Sequence, residues 1–578
     1  MQELAQGYYL ANFSAVTHRV AEVYADLLSP QELQYYREFH RLQQPAQYLY
    51  VRMLMRKGSL FRASKLRYAE IPSRSDASRE LQDKGFIAID PALPVSDWLP
   101  LFNKSESLQW LAQAGVETET LRALKASKRA ALDQFAAAHF AQPEVYQNSD
   151  SDQETGTPAD SAAVPAPPET CYQLLDPEAF EVFKLLYFGN PRQDLTDFIL
   201  RDLAITRFEQ YSLARSERLF EQRRQIDQQL AFYRLTAELE TILQADAATI
   251  LQFHQHLPQP AADDARLQRR VQRVTLQLAR QLERLQCPQQ ALQLYRGCPQ
   301  APSRERQVRI LTAEGDVDAA LQLCGDIVAS PQTDEELEFA QAFAHRTAKK
   351  HRLPLEAWPG LDCYQPPQRT LELPRPSLEV EGERVERLAA AWYGRDGECY
   401  YVENALFLTL FALVFWDVIY APVAGGFSHP FQYRPHDLYD EDFLARRRHW
   451  YEQAQQTFAA EHCPDGLVQS GPLLERYAAK QGVANNLVFW QATSPELLEL
   501  TLQRVPAADL EKICARLWQD LQHNRNGLPD LIHFPAADGY RLVEVKAPGD
   551  RLQKNQRRWM AWFARQQIPH EVVQIDWC

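Results

Sequence analysis

Gly527-Leu528-Pro529-Asp530-Leu531-Ile532 and Arg541-Leu542-Val543-Glu544-Val545-Lys546 are the two stretches whose reading decides the fold of the C-terminal region. Leu531–Phe534 and Tyr540–Val545 are apolar, β-type runs, and Pro535-Ala536-Ala537-Asp538-Gly539 between them has the composition of a turn. The pair therefore predicts a strand hairpin. Side chains alternate along a strand, so Glu544 and Lys546 share one face while Val543 and Val545 share the other. Asp530 stands where the first strand begins. Two carboxylates and an ammonium thus converge at one end of a small sheet.

That set suits phosphodiester hydrolysis. The scissile group is an anion and repels an attacking hydroxide. A hard cation on carboxylate oxygens offsets the charge, lowers the pKa of a bound water and stabilises the leaving oxygen. Asp530 and Glu544 are the expected ligands, with the Val545 carbonyl as a third. Lys546 is placed to orient the water and to stabilise charge in the transition state. An ordinary exposed hairpin carries such triplets too, so the spacing alone decides little.

The residues C-terminal to the triplet are more specific. Ala547-Pro548-Gly549-Asp550-Arg551-Leu552 leads into a helix carrying Gln556 and Trp559. The Pro-Asp step with Glu-x-Lys is the pattern of the PD-(D/E)xK nucleases, and the run from Glu544 to Trp559 resembles the VRR-NUC branch of that superfamily. In related nucleases a Gln on this helix lies near the site. For Gln556 a solvated helix face is an equal alternative.

The chain has 578 residues, 45% hydrophobic, enough for several domains with sizeable cores. No signal-peptide pattern opens it, and the apolar run from Ala405 to Ile419 is short for a membrane span and interrupted by Thr409 and Asp417. Nine cysteines occur without a C-x-x-C pair. A reducing compartment is expected: the cytoplasm, with nucleoid association, in a bacterium, or the nucleus in a eukaryote. No G-x-x-x-x-G-K-[ST] loop is present, so ATP use is not expected.

Net charge is −14, yet nucleic-acid contact depends on local patches rather than averages. Residues 51–67 contain Arg52, Arg56, Lys57, Arg62, Lys65 and Arg67 and no acid, and residues 541–565 hold seven basic residues against two acids. Residues 1–92 read as helices broken at Pro30, Pro45, Pro72 and Pro91. Residues 97–142 read as Trp98–Phe102, Ser107–Ala114 and a single helix from Glu119 to Ala138, with Ser105 and Ser107 as caps. Residues 147–170 read as a flexible linker rich in Ser, Asp and Pro. Residues 172–360 read as helices throughout, and Gln289–Leu294 is echoed by Val317–Leu323 about 29 residues on, a degenerate helical-repeat signal.

Three blocks together are similar to the Fanconi-associated nuclease family: Arg56-Lys57-Gly58-Ser59-Leu60-Phe61-Arg62 with Tyr68, Glu70 and Ile71; Pro430-Phe431-Gln432 with Pro435, Asp437, Leu438 and Tyr439; and the VRR-NUC end. The resemblance implies a mostly α, multi-domain protein. Its parts would be an N-terminal helical DNA-binding domain (1–92), a SAP-like domain (93–146), the linker (147–170), a TPR-like bridge (171–380) and an α/β nuclease domain (381–578). It implies DNA contacts at Arg52, Arg56, Lys57, Arg62, Lys125 and Lys128, with Lys104 and Arg129 as further candidates. It also places a catalytic Glu at Glu403, which the sequence alone reads as a helix-start carboxylate opposing the dipole. A third carboxylate allows two Mg²⁺ or Mn²⁺ ions.

The implied activity is structure-selective cutting near 5′ flaps, with 5′–3′ exonuclease character, in interstrand-crosslink repair. Branched or flapped DNA is the expected partner; protein partners are not implied. The ubiquitin-binding finger of the human-type members is not found, which suits a bacterial-type member. A symmetric junction resolvase and a non-catalytic junction scaffold are the alternative readings.

Overall fold

The computed structural model describes residues 7–140, 166–193, 198, 206–361, 364–374 and 385–578. The chain divides into two compact units, Met1–Leu203 and Ala204–Cys578.

The first unit is not wholly helical. Helices Tyr8–Tyr24, Pro30–Arg41, Gln44–Leu54 and Arg74–Asp83 are joined by short strands β1 (Leu60–Arg62) and β2 (Ile87–Ile89), and β3 (Cys171–Leu174) pairs antiparallel between them. Pro72 and Pro91 lie between elements, where breaks were expected, whereas Pro30 and Pro45 open helices. Pro30 follows a Ser29 cap whose side chain and Glu32 form a reciprocal capping box, and Pro45 lies in the first turn of its helix. The strands escape a local reading because their partner lies far away in sequence. Cys171–Leu174 and the helix Ala179–Phe188, whose Phe180 stacks on Phe13 at 4.5 Å, therefore belong to the first unit. A repeat region beginning at 171 is corrected accordingly. The expected linker falls mostly on 141–165, outside the described residues.

Residues 95–139 form four helices around Trp98 and Trp110, whose rings meet edge to face at 4.8 Å. The expected single helix from Glu119 to Ala138 is two, Thr118–Ala126 and Arg129–His139. Ser127 between them is extended, and the Lys104 ammonium donates to the carbonyls of Lys125 and Ser127 at the break. The cap of Lys104–Gln113 is Asn103, paired with Glu106, rather than a serine.

In the second unit, consecutive helices from Arg223–Ala237 to Asp334–Lys350 pack on their chain neighbours. The two echoing segments occupy the equivalent helices Pro288–Arg296 and Val317–Ala329, whose Ala291, Tyr295, Ala320 and Cys324 are buried in one core.

The second unit also holds a five-stranded sheet: β4 (Gln368–Leu373), β5 (Gly397–Tyr401), β6 (Leu531–Pro535), β7 (Arg541–Lys546) and β8 (His570–Trp577), in the order β4-β8-β7-β6-β5. β6 and β7 are the antiparallel hairpin expected from sequence, with Leu531 opposite Val543. β4 and β7 flank β8 in parallel. β4 lies within the stretch 171–380 that the family resemblance assigned to the bridge, yet it pairs with the last strand of the chain. Val543 and Val545 pack beneath the helix Val385–Tyr393. The opposite face is covered by Ala405–Val414, Ala507–Gln519 and Lys554–Gln566. Every residue of Ala405–Val414 is buried, which accounts for its uniform apolarity. It stops at Phe415, and a separate turn, Trp416–Ile419, comes next. Among the described residues no helix is long and apolar enough to cross a membrane.

Gly397 opens β5 at φ 119°, and a Cβ there would sit 2.1 Å from the Phe534 carbonyl oxygen. Gly397→Ala is expected to destabilise the unit by about 2 kcal/mol or more, read as a lowered thermal midpoint. An unshifted midpoint would show that this sheet edge yields freely.

Candidate active site

Asp530 is held by its main chain and side chain at once. Its carbonyl oxygen accepts from Val402 N at 2.8 Å and Glu403 N at 2.9 Å, and its Oδ2 accepts from Val545 N at 2.9 Å. The end of β5, the start of β6 and the end of β7 thereby meet at one residue. The approach is set by Gly527, at φ 90°, where a Cβ would stand 2.9 Å from Asn555. Leu528 N donates to Asn404 Oδ1 at 3.1 Å, tying the Pro-Asp step to the start of the Ala405–Val414 helix.

Glu544 is fully buried. The Lys546 ammonium lies 2.7 Å from its Oε1, an ion pair at hydrogen-bond distance. Lys546 Nζ also donates to Gln556 Oε1 at 3.0 Å, and the same oxygen accepts from Gln553 N at 2.8 Å at the helix start. Gln556 therefore lies in the site and not on a solvated face.

Burial pushes the Glu544 carboxyl well above the usual range, and the charge of Asp530 adds to this against the opposing pull of Lys546. Burial also raises Asp530, partly offset by the Val545 N–H and Lys546, while Glu386 and Glu403 raise it further. A buried Glu544 and a half-buried Asp530 that both resist ionisation are suited to a cation. Among the described residues no three Asp, Glu, His or Cys side chains close into a ready cage. What the structure brings together is the Asp530–Glu544 pair, with the charges of Glu386 and Glu403 acting on Asp530.

Glu403 corrects the sequence reading. It is not in the first turn of the helix, which starts at Ala405 after an Asn404 cap. It has φ 40°, an uncommon conformation for a side-chain-bearing residue, imposed where Asp530 takes two consecutive N–H groups. Its Oε2 accepts from the Tyr401 hydroxyl at 2.7 Å and its Oε1 from Asn404 Nδ2 at 3.4 Å. Burial and then Glu403 push the Tyr401 hydroxyl up to about 12.

Three neighbours escaped the sequence. Glu386, in the first turn of Val385–Tyr393, acts on both Asp530 and Tyr401. Tyr401 holds Glu403. Gln574, opposite Lys546 in β8, donates to the Lys546 and Ala547 carbonyls at 3.3 and 2.8 Å. Strand alternation signals Tyr401; the others depend on pairing distant in sequence.

The expected DNA contacts lie in the first unit and divide into two sets. Arg62 forms paired bonds of 2.8 Å to Glu106 and also meets Glu169 at 3.1 Å. Arg52 pairs with Glu70 at 2.9 Å and stacks on Tyr9 at 3.9 Å. Arg129 is taken up by Asp133 and by the Phe102 and Leu99 carbonyls, and Lys104 by the carbonyls at the helix break. These side chains hold the fold together. Arg56, Lys57, Lys65, Arg67, Lys125 and Lys128 are exposed.

Comparison with known proteins agrees with this geometry. Residues 7–88 match the family model "FAN1, HTH domain" and residues 470–577 match "VRR-NUC domain". A Fanconi-associated nuclease 1 homolog from Pseudomonas aeruginosa is 32% identical over 577 residues, 99% of this chain and 96% of that protein. An Arabidopsis thaliana homolog is 23% identical, spanning 96% of this chain and 65% of that one. Human Fanconi-associated nuclease 1 is 30% identical over 196 residues, 33% of this chain and 19% of that one. The crystal structure of paFAN1 bound to 2nt 5′ flap DNA with gap superposes with a TM-score of 0.81 at 30% identity over 100% of both chains. The complex with 1nt 5′ flap DNA gives 0.79 at 31% identity over 99% of both.

The raised carboxyls generate a proton-linked prediction. Asp530, raised to about 6, and Glu544, raised to about 8, keep their protons to higher pH than ordinary carboxyls in the metal-free chain, and ligation requires the ionised forms. Binding of a divalent ion below about pH 8 should therefore release protons, and affinity should rise with pH through the span from about 6 to about 8. Titration calorimetry with Ca²⁺ in buffers of different ionisation heat reads the proton count. Zero release would remove both residues as ligands. Gln556→Ala should lower cleavage about ten-fold or more by freeing Lys546, with the melting temperature little changed.

Proposed function

We propose, for a chain that belongs to the Fanconi-associated nuclease family, that Asp530, Glu544 and Lys546 form the centre at which it hydrolyses one strand of branched DNA. The chain is a structure-selective DNA nuclease, and its family carries divalent-metal dependence. The observation that supports this centre best is the fully buried Glu544 carboxyl, raised by burial and by Asp530, with the Lys546 ammonium 2.7 Å from its Oε1. Such a group is costly to keep in a fold unless a cation or the reaction uses it.

Asp530, Glu544 and the Val545 carbonyl would hold a Mg²⁺ or Mn²⁺ ion, with Glu403 and Glu386 at the rim for a second. Bound there, an ion acidifies a water and neutralises charge on the scissile phosphate. Lys546, steadied by Gln556, orients the attacking water and faces the negative charge that grows in the transition state. Tyr401 and Asn404 keep the Glu403 carboxylate turned toward Asp530's end of the sheet. Arg56, Lys57, Lys125 and Lys128 are exposed cations of the first unit that would meet duplex phosphates. The division into an N-terminal DNA-binding part, a SAP-like part, a helical bridge and a nuclease part belongs to the same proposal. So do cutting beside a 5′ flap with exonuclease progression, a role in crosslink repair and a place at the nucleoid. A scaffold protein has no use for the Asp530–Glu544 pair beside Lys546.

Asp530→Asn and Glu544→Gln should each lower single-turnover cleavage by about 10²-fold or more, with flap-DNA affinity in Ca²⁺ within about two-fold of the parent. Labelled 5′-flap, 3′-flap, nicked and four-way substrates, with Mg²⁺ or Mn²⁺, define the preference. Parental cutting by Asp530→Asn would end this assignment. Lys57→Glu with Lys125→Glu should weaken binding on every duplex and flatten its salt dependence, since counterion release scales with the phosphates neutralised. An unchanged slope would make those lysines bystanders.

A further inference from the structure

Three loops of the second unit meet at the Tyr439 hydroxyl. It accepts from Asn486 Nδ2 at 2.6 Å and from Arg525 Nη1 at 2.7 Å. Two guanidinium groups lie against the ring of the same tyrosine, Arg434 at 5.0 Å and Arg525 at 5.2 Å. Among the described residues neither arginine meets a carboxylate. Their neighbours do: Arg446 and Arg447 pair with Asp437, and Arg269 with Asp440. In a chain of net charge −14, two adjacent cations left without acids are an anion site. Arg525 also keeps a buried Nε without a hydrogen-bond partner.

Two large aromatic side chains are exposed on the same loops, Tyr433 at 49% and Phe489 at 42%. The loops are joined, because the Tyr420 hydroxyl donates to the carbonyls of both Tyr433 and Ala484, at 3.3 and 3.1 Å. They also abut the helix that starts beside Glu403, since Phe489 N donates to Thr409 Oγ1 at 3.0 Å. Arg525 precedes Asp530 by five residues, a span of at most about 18 Å. At ~3.4 Å of rise per nucleotide along a strand, that is within about five nucleotide steps of the carboxylates.

Cations without acid partners interleaved with exposed rings are what an unpaired strand requires: its phosphates need charge and its freed bases need faces to stack on. A paired duplex hides those base faces. We propose that Arg434, Arg525, Tyr433 and Phe489 form a binding site for the unpaired strand of a branched DNA, with Tyr439 as the post that holds both arginines. The site reads flap against nick. It rests on the proposed nuclease function for its substrate, and its test does not depend on cutting.

The experiment measures affinity by fluorescence anisotropy, in Ca²⁺, for a flapped duplex and for the same duplex nicked without a flap. Tyr433→Ala and Phe489→Ala lie on the surface and should leave the melting temperature unaltered. Each should weaken the flapped DNA by about five-fold or more, and the nicked DNA by less. Arg434→Gln and Arg525→Gln should each lower the salt slope on flapped DNA by about one, and Arg525→Lys, which keeps the charge, should restore it. Equal losses on both DNAs would make the patch a duplex contact and overturn the proposal. Parental affinity and slope in all variants would overturn it too, leaving the rings to a protein partner. If Asp530→Asn cut normally while these binding differences held, the catalytic assignment would fail and the strand site would stand.

Discussion

The site depends on one residue acting as a joint. Asp530 gives its carbonyl to two successive N–H groups at the end of β5 and its carboxylate to an N–H of β7. Three segments from distant parts of the sequence are thus fixed to within a hydrogen bond of each other. A half-buried carboxylate is unfavourable on its own, and the Val545 N–H that its Oδ2 accepts makes its placement tolerable. Glu544 is held by Lys546, whose ammonium lies 2.7 Å from its Oε1. Gln556 shares that ammonium, accepting from it at 3.0 Å, and so fixes where it sits.

The distribution of arginine shows why a basic stretch is a poor map of a binding surface. Residues 51–67 carry no acid, yet Arg52 and Arg62 find theirs at Glu70, Glu106 and Glu169. The guanidinium fork suits such paired contacts and is drawn inward wherever a carboxylate waits. Lysines of the same region stay outside. Around Tyr439 the reverse holds: cations remain without acids, and aromatic faces take their place.

How much was legible depends on how local each feature is. The hairpin, the shared face of Glu544 and Lys546, and the opposite face of Val543 and Val545 are set by strand alternation within a few residues, and the structure keeps all of them. The echo of Gln289–Leu294 in Val317–Leu323 is likewise local, and it marks equivalent helices. Glu403 was reachable only through family resemblance, because its position depends on a bond to a residue more than a hundred positions later. Glu386 and Gln574 depend on a helix seated across the sheet and on a parallel strand pairing, neither of which a single sequence displays. β1, β2 and β4 were missed for the same reason: each is three to six residues long and gains its identity from a partner elsewhere.

The backbone at Glu403 has a consequence for how such a protein can change. Its φ of 40° is one that glycine reaches freely and a carboxylate-bearing residue reaches at a cost of about 1 kcal/mol or more. Exchange to glycine would relax the chain while deleting an acid from the rim of the site. On the proposed role of Glu403 in the metal centre, thermal robustness and cutting pull this position in opposite directions. A lineage released from the need to cut, or a library sorted only for solubility and heat resistance, would be expected to lose this glutamate early and to look better folded for it.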